Sequence, residues 1–137
     1  MTQTETIAAQ IATILGTAGL TVRDDTDALY SFEQKPCIVI DVGDELVDPV
    51  FGQGYIYWNL NFDLLIGADG ENPKLAPEPT RKAAHEALYA DRQLGLSNFV
   101  VDINVKQIQR AIDVENPAAG ITRVAYQIKY RVEEGTA

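Results

Sequence analysis

From Ile56 to Asp63 the chain alternates between apolar and polar residues, inside the longer stretch Tyr55–Ile66, YIYWNLNFDLLI. Ile56, Trp58, Leu60, Phe62, Leu64 and Ile66 share one parity, while Tyr57, Asn59, Asn61 and Asp63 share the other. Successive side chains of an extended chain point to opposite faces, so this spacing predicts a strand buried on one face and polar on the other. At about 3.3 Å per residue it would reach roughly 35–40 Å, whereas a domain of this length has an expected radius of gyration of about 14 Å. Such a strand crosses the whole body. A chain built on it is organised around sheet surfaces more than around a pocket.

The remaining segments supply partners for that strand. Thr2 and Glu5 have capping-box spacing, and Ile7, Ile11, Ile14 and Leu15 form one helical stripe, with Gly16 and Gly19 as the stop. Leu20-Thr21-Val22 can begin a short strand, and Asp24, Asp25 and Asp27 mark a solvated loop. Pro36 leads a strand, CIVIDV, to Val42. Gly43 to Gly54 is expected to be a connector. Its apolar residues Leu46, Val47, Val50 and Phe51 either fold back on the core or plug a neighbouring subunit. A second helix is expected from about Pro79 to Leu94, with Ala83, Ala84, Ala87, Leu88 and Leu94 inward and Gly95 as its cap. Phe99 to Val114 reads as a strand in which Val101, Ile103 and Val105 share one face before the parity switches to Ile108, Ile112 and Val114. That switch predicts a bulge or bend. Val124, Tyr126, Ile128, Tyr130 and Val132 alternate in a last long strand.

The expected fold class is α+β: a mostly antiparallel twisted sheet with long strands and two helices packed on one face, in a single domain over residues 1–137. The second sheet face carries Asn, Asp, Gln, Lys and Arg, so it meets solvent or a polar partner.

Composition narrows the function classes. One cysteine, Cys37, excludes a disulfide framework and a multi-thiolate zinc site, and its apolar neighbours suggest a small buried residue in a reducing compartment. The N-terminus lacks a basic leader and carries Glu5, and no apolar run is long enough to cross a bilayer. A cytoplasmic protein is expected, unless it leaves as part of something larger. Twenty acidic against eleven basic side chains give a net charge of −9, without a basic cluster, which excludes sequence-specific nucleic-acid binding. An acidic protein can still line a passage that must not hold DNA.

No catalytic, cofactor or metal site is assigned. His85, the one histidine, reads as a surface or boundary residue of the second helix, and no serine stands in a nucleophile elbow. Asp41, Asp44, Glu45 and Asp48 could offer oxygens to a hard cation, but they lack EF-hand spacing and suit a solvated hairpin tip equally. Gly52-Gln53-Gly54 precedes a strand, whereas phosphate loops follow one. The aromatics Tyr55, Tyr57, Trp58, Tyr126 and Tyr130 lack the basic neighbours that base stacking needs.

Four features in order carry a resemblance: the N-terminal amphipathic helix, the proline-led strand PCIVIDVGDE, the strand YWNLNFDLLI with a helix ending in ADRQLG, and the final strand YQIKYRV. Over nearly its whole length the chain resembles the tail terminator (tail completion) and neck proteins of tailed bacteriophages. The resemblance implies a non-enzymatic subunit of a ring, six-membered in that family, which caps the tail tube, ends its polymerisation and offers a surface for head docking. Its implied partners are further copies of itself and the tail tube protein, with sheath and neck or head-completion proteins as further candidates. DNA would only pass through the lumen, and neither a membrane nor a small-molecule substrate is involved. The implied location is the virion, after assembly in the host cytoplasm. The segment implied to contact subunits or the tube holds Asp44, Glu45, Leu46, Val47, Asp48, Val50 and Phe51, and the strand positions facing a lumen or neighbour are Asn59, Asn61 and Asp63. A head–tail connector is the related alternative. A small ligand-binding or hydrolytic domain is the alternative of a different class.

Overall fold

The computed structural model describes residues 2–24, 36–48, 54–112 and 119–133. Helix α1 (Gln3–Thr17) opens with the expected capping box: the Glu5 N–H donates to Thr2 Oγ1, and the Glu5 carboxylate accepts from the Thr2 N–H. Ile7, Ile11 and Leu15 of its stripe are buried. Gly19, at φ 84°, turns the chain out of the helix, and the Leu20 N–H closes back on the Leu15 carbonyl at 3.1 Å. Positive φ costs a residue without a side chain nothing, which is the glycine's role here.

Five strands follow: β1 (Val22–Arg23), β2 (Cys37–Val47), β3 (Tyr55–Asp69), β4 (Val100–Ile112) and β5 (Ala119–Glu133), with α2 (Glu78–Tyr89) between β3 and β4. They form one sheet in the order β1-β2-β3-β5-β4, parallel only between β1 and β2. The fold is α+β, with a mostly antiparallel sheet and two helices. Strand β3 pairs over its full 15 residues with β5. That alignment would span about 50 Å at the usual rise of a strand.

One parity of each long strand meets the helices. Leu60, Phe62, Leu64 and Ile66 of β3 and Val124, Tyr126, Ile128, Tyr130 and Val132 of β5 join Ile7, Ile11, Leu15, Ala84 and Leu88 in a single core cluster. The Phe62 and Tyr126 rings stack there with centroids 5.2 Å apart. Trp58 packs against this cluster while half-buried. The opposite sheet face is polar over much of its length. At one end Cys37, Val39, Leu65 and Ile121 make a second small apolar cluster, with Cys37 reduced and buried. No helix among the described residues is long and apolar enough to cross a membrane.

Three expectations are corrected. The connector expected from Gly43 is strand as far as Val47, because a register shift between Val42 and Glu45 absorbs Gly43 and Asp44 as a bulge. Helix α2 ends at Tyr89, five residues before the expected Leu94. The Asp91 carboxylate takes the N–H groups of Gln93 (3.0 Å) and Gly95 (2.9 Å), winding the chain into turns in which Leu94 sits at φ 57°. In β4 the bulge expected from the parity switch lies between Val105 and Gln107. A second shift, between Val100 and Asp102, places Val100 inward and leaves Val101 exposed, off the face shared by Ile103 and Val105. The predicted aspartates Asp25 and Asp27 and the end of the β4 segment at Val114 lie outside the described residues.

Candidate assembly surface

The face away from the helices pairs its charges across strands. Asp63 on β3 receives Arg123 of β5 at 2.5 Å, and the same guanidinium stands 4.0 Å from Asp41 of β2. Asp48, just past β2, is held by Lys129 at 2.6 Å. Asn61 accepts from Gln127 at 3.4 Å. Asn59 lines a shallow depression of about 320 Å³ with Asp48, Asp102, Asn104, Gln127 and Lys129. Asn59, Asn61 and Asp63 thus share one half-buried polar surface. Two of its basic groups, Arg123 and Lys129, are matched by acids, and Arg131 lies over the Tyr55 ring, so among the described residues the face shows no clustered cationic ridge on which to bind phosphate.

The other sequence candidates separate. Asp44 sits in the β2 bulge, and Leu46 and Val47 stand 63% and 55% exposed beyond it. Glu45 turns to the helix side, where its carboxylate accepts from Thr4 Oγ1 and, at 2.8 Å, from the Tyr130 hydroxyl. Burial pushes the Tyr130 phenol up to about 12, which keeps it a donor to Glu45. Asp41, Asp48 and Glu45 therefore do not converge on one point, and among the described residues no group of three or more His, Cys, Asp or Glu could hold a metal ion. Val50 and Phe51 lie outside the described residues.

His85 is half-buried on α2, with Nδ1 3.1 Å from the Tyr126 hydroxyl and its ring 4.1 Å from that of Tyr89. Burial first, then the Arg81 charge, holds its pKa below the ordinary histidine value. Burial also pushes the Tyr126 phenol upward. This is a packed boundary group at the edge of the core.

The strand edges were invisible in the sequence, and they differ. On β4 the outward backbone groups of two residues are capped by side chains from the end of α2. Arg92 Nη2 donates to the Ile103 carbonyl at 2.7 Å, and the Val105 N–H donates to the Tyr89 hydroxyl at 2.8 Å. Arg92 is fixed in turn by Asp102 at 2.7 Å and lies 4.6 Å from the centre of the Tyr89 ring. Past the bulge the ladder alternation turns the backbone groups of Ile108, Arg110 and Ile112 outward. On β2 the two-residue β1 covers only Ile38 and Val39. Ladder alternation then leaves Val42, Glu45 and Val47 outward, with no strand beside them among the described residues. Compared with known families and curated proteins, the sequence matches no family model and no curated protein.

Proposed function

We propose that the protein is a structural subunit of a bacteriophage tail, forming a ring that caps the tail tube, ends its polymerisation and presents a docking surface to the head. The observation that carries this reading is a long-stranded sheet that is covered by helices on one face, polar over much of the other and, among the described residues, open along part of each lateral edge. Open edges favour pairing with another chain, and a closed ring of identical copies removes them. A wall with paired charges gives DNA little to adhere to as it passes. The order of elements also resembles that of tail terminator proteins. Light scattering after gel filtration, with negative-stain images of the protein alone and with tube protein, tests the reading. Rings are expected, on tube ends when tube is present. A protein that stays monomeric in every mixture sinks it, and rings that bind only the head side make it a connector.

A further inference from the structure

We infer that the open flank of β2 around residues 42–45 pairs, antiparallel and head to tail, with β4 residues 108–111 of a second copy of this chain. The inference rests on the ring reading above and assigns its subunit interface.

Strand direction permits the contact. Across the sheet β2 and β4 run opposite ways, so a copy placed beside its neighbour by rotation brings them together antiparallel without reversal. Charge favours it. Residues 41–48 hold four acids and no base, while 105–112 hold Lys106 and Arg110 and no acid. Within the subunit Asp41 faces Arg123, Asp48 is held by Lys129, Glu45 by the Tyr130 hydroxyl and Arg110 by Glu78 at 2.6 Å, so the complementarity rests chiefly on Asp44 and Lys106. Apolar surface is also available on both sides, with Val42 and Leu46 exposed on one and Val105 and Ile112 on the other.

Register decides which residues meet. Straight across the sheet Val42 lies level with Phe62, Tyr126 and Val105. An unshifted neighbour would therefore set Val42 against the β4 segment whose outward groups Arg92 and Tyr89 already occupy. A closed sheet of tilted strands is instead staggered, by about one residue per strand at a tilt near 36°. Each copy contributes four strands to the circuit, because β1 covers only a short part of the β2 flank. A shift of about four residues follows. With a β3–α2–β4 crossover of the usual right hand and the helices outside, the right-handed coil of the strands directs that shift along β4 towards Arg110. Ile108 then meets Glu45 and Arg110 meets Val42, both outward-facing on their own strands. Among the described residues, the shift thus matches outward backbone groups to outward backbone groups and carries the contact past the capped residues. Six copies would make a wall about 45–50 Å across at the backbone, wide enough for duplex DNA.

Cysteine pairs at exposed positions test the register, with buried Cys37 left in place. In an antiparallel hydrogen-bonded pair the Cα atoms are about 5.5 Å apart, within disulfide reach. Under mild oxidation of assembled protein, the full-length Val42→Cys/Arg110→Cys variant should give a covalent ladder ending at the ring. A mixture of the two single variants should stop at dimers, and Val42→Cys/Val105→Cys should give no ladder. Lys106→Glu and Asp44→Lys should each lower the ring fraction several-fold, since each sets a charge against the balance of the facing segment. Rings without the Val42–Arg110 ladder, or with a Val42–Val105 ladder, overturn the interface and leave the ring reading standing. If neither the wild type nor a correctly folded variant forms rings, with or without tube, the ring reading fails and the interface with it.

Discussion

Thr122 is fully buried on β5, and its hydroxyl has no hydrogen-bond partner among the described residues. A buried, unbonded hydroxyl costs about 1–3 kcal/mol, so Thr122→Val should leave the melting temperature unchanged or raise it. A clear fall would mean that the hydroxyl has a partner. Two residues earlier the constraint is steric: a Cβ on Gly120 would fall 1.7 Å from the Pro73 carbonyl oxygen. Gly120→Ala must therefore displace backbone and should lower the melting temperature by roughly 5–10 °C. His85 provides a pH signature. Its folded pKa lies below the ordinary 6.5, so the unfolded chain binds the extra proton first as pH falls. The resulting stability is complete above about 6.5 and is lost as pH drops through that value towards the folded pKa. Denaturation curves from pH 7.5 to 5 should show this loss in the wild type and a flatter profile in His85→Gln. At this scale the Thr2–Glu5 box could be read from spacing alone. The Gly120–Pro73 approach could not, because it joins residues that only the fold brings together.

Among the elements, alternation made β3 and β5 legible, since each has one buried and one polar face over most of its length. The β4 bulge at Val105 left a trace as a change of parity. The bulge at Val100 left none, because two adjacent valines look the same from either face. Strand β2 was cut short in the sequence because Gly43 and Asp44 suit a turn as well as a bulge. The end of α2 was hidden by Asp91, whose side chain competes with the helix for backbone N–H groups. Of the surface candidates, Asn59, Asn61 and Asp63 followed from parity. Tyr89 and Arg92 had no signal, since an edge cap depends on where the next strand passes. Tyr89→Phe should leave the Val105 N–H to solvent at a cost of about 0.5–1.5 kcal/mol. Hydrogen exchange at Val105 should accelerate while exchange in β3 stays slow. Unchanged exchange at Val105 would show that the tyrosine does not guard it.

In the whole molecule, one cluster joins both helices to the central strands, so the helices have no separate core on which to remain folded. Unfolding should therefore be a single step. Helical circular dichroism and Trp58 fluorescence should lose signal at the same denaturant concentration, and transitions that separate would contradict a single cooperative unit. The α+β class was legible because every element carried its own periodicity. The strand order was not, because β3–β5 pairing depends on how two hairpins meet. The Tyr89 and Arg92 caps on β4 have a consequence at this scale. Flat sheets stacked edge to edge without stagger grow into filaments with no natural end, as fibrils do. Two side chains that occupy the unstaggered site make such growth begin with the loss of two hydrogen bonds. They therefore disfavour unstaggered edge-to-edge growth and, on the ring reading proposed above, leave the staggered contacts that close.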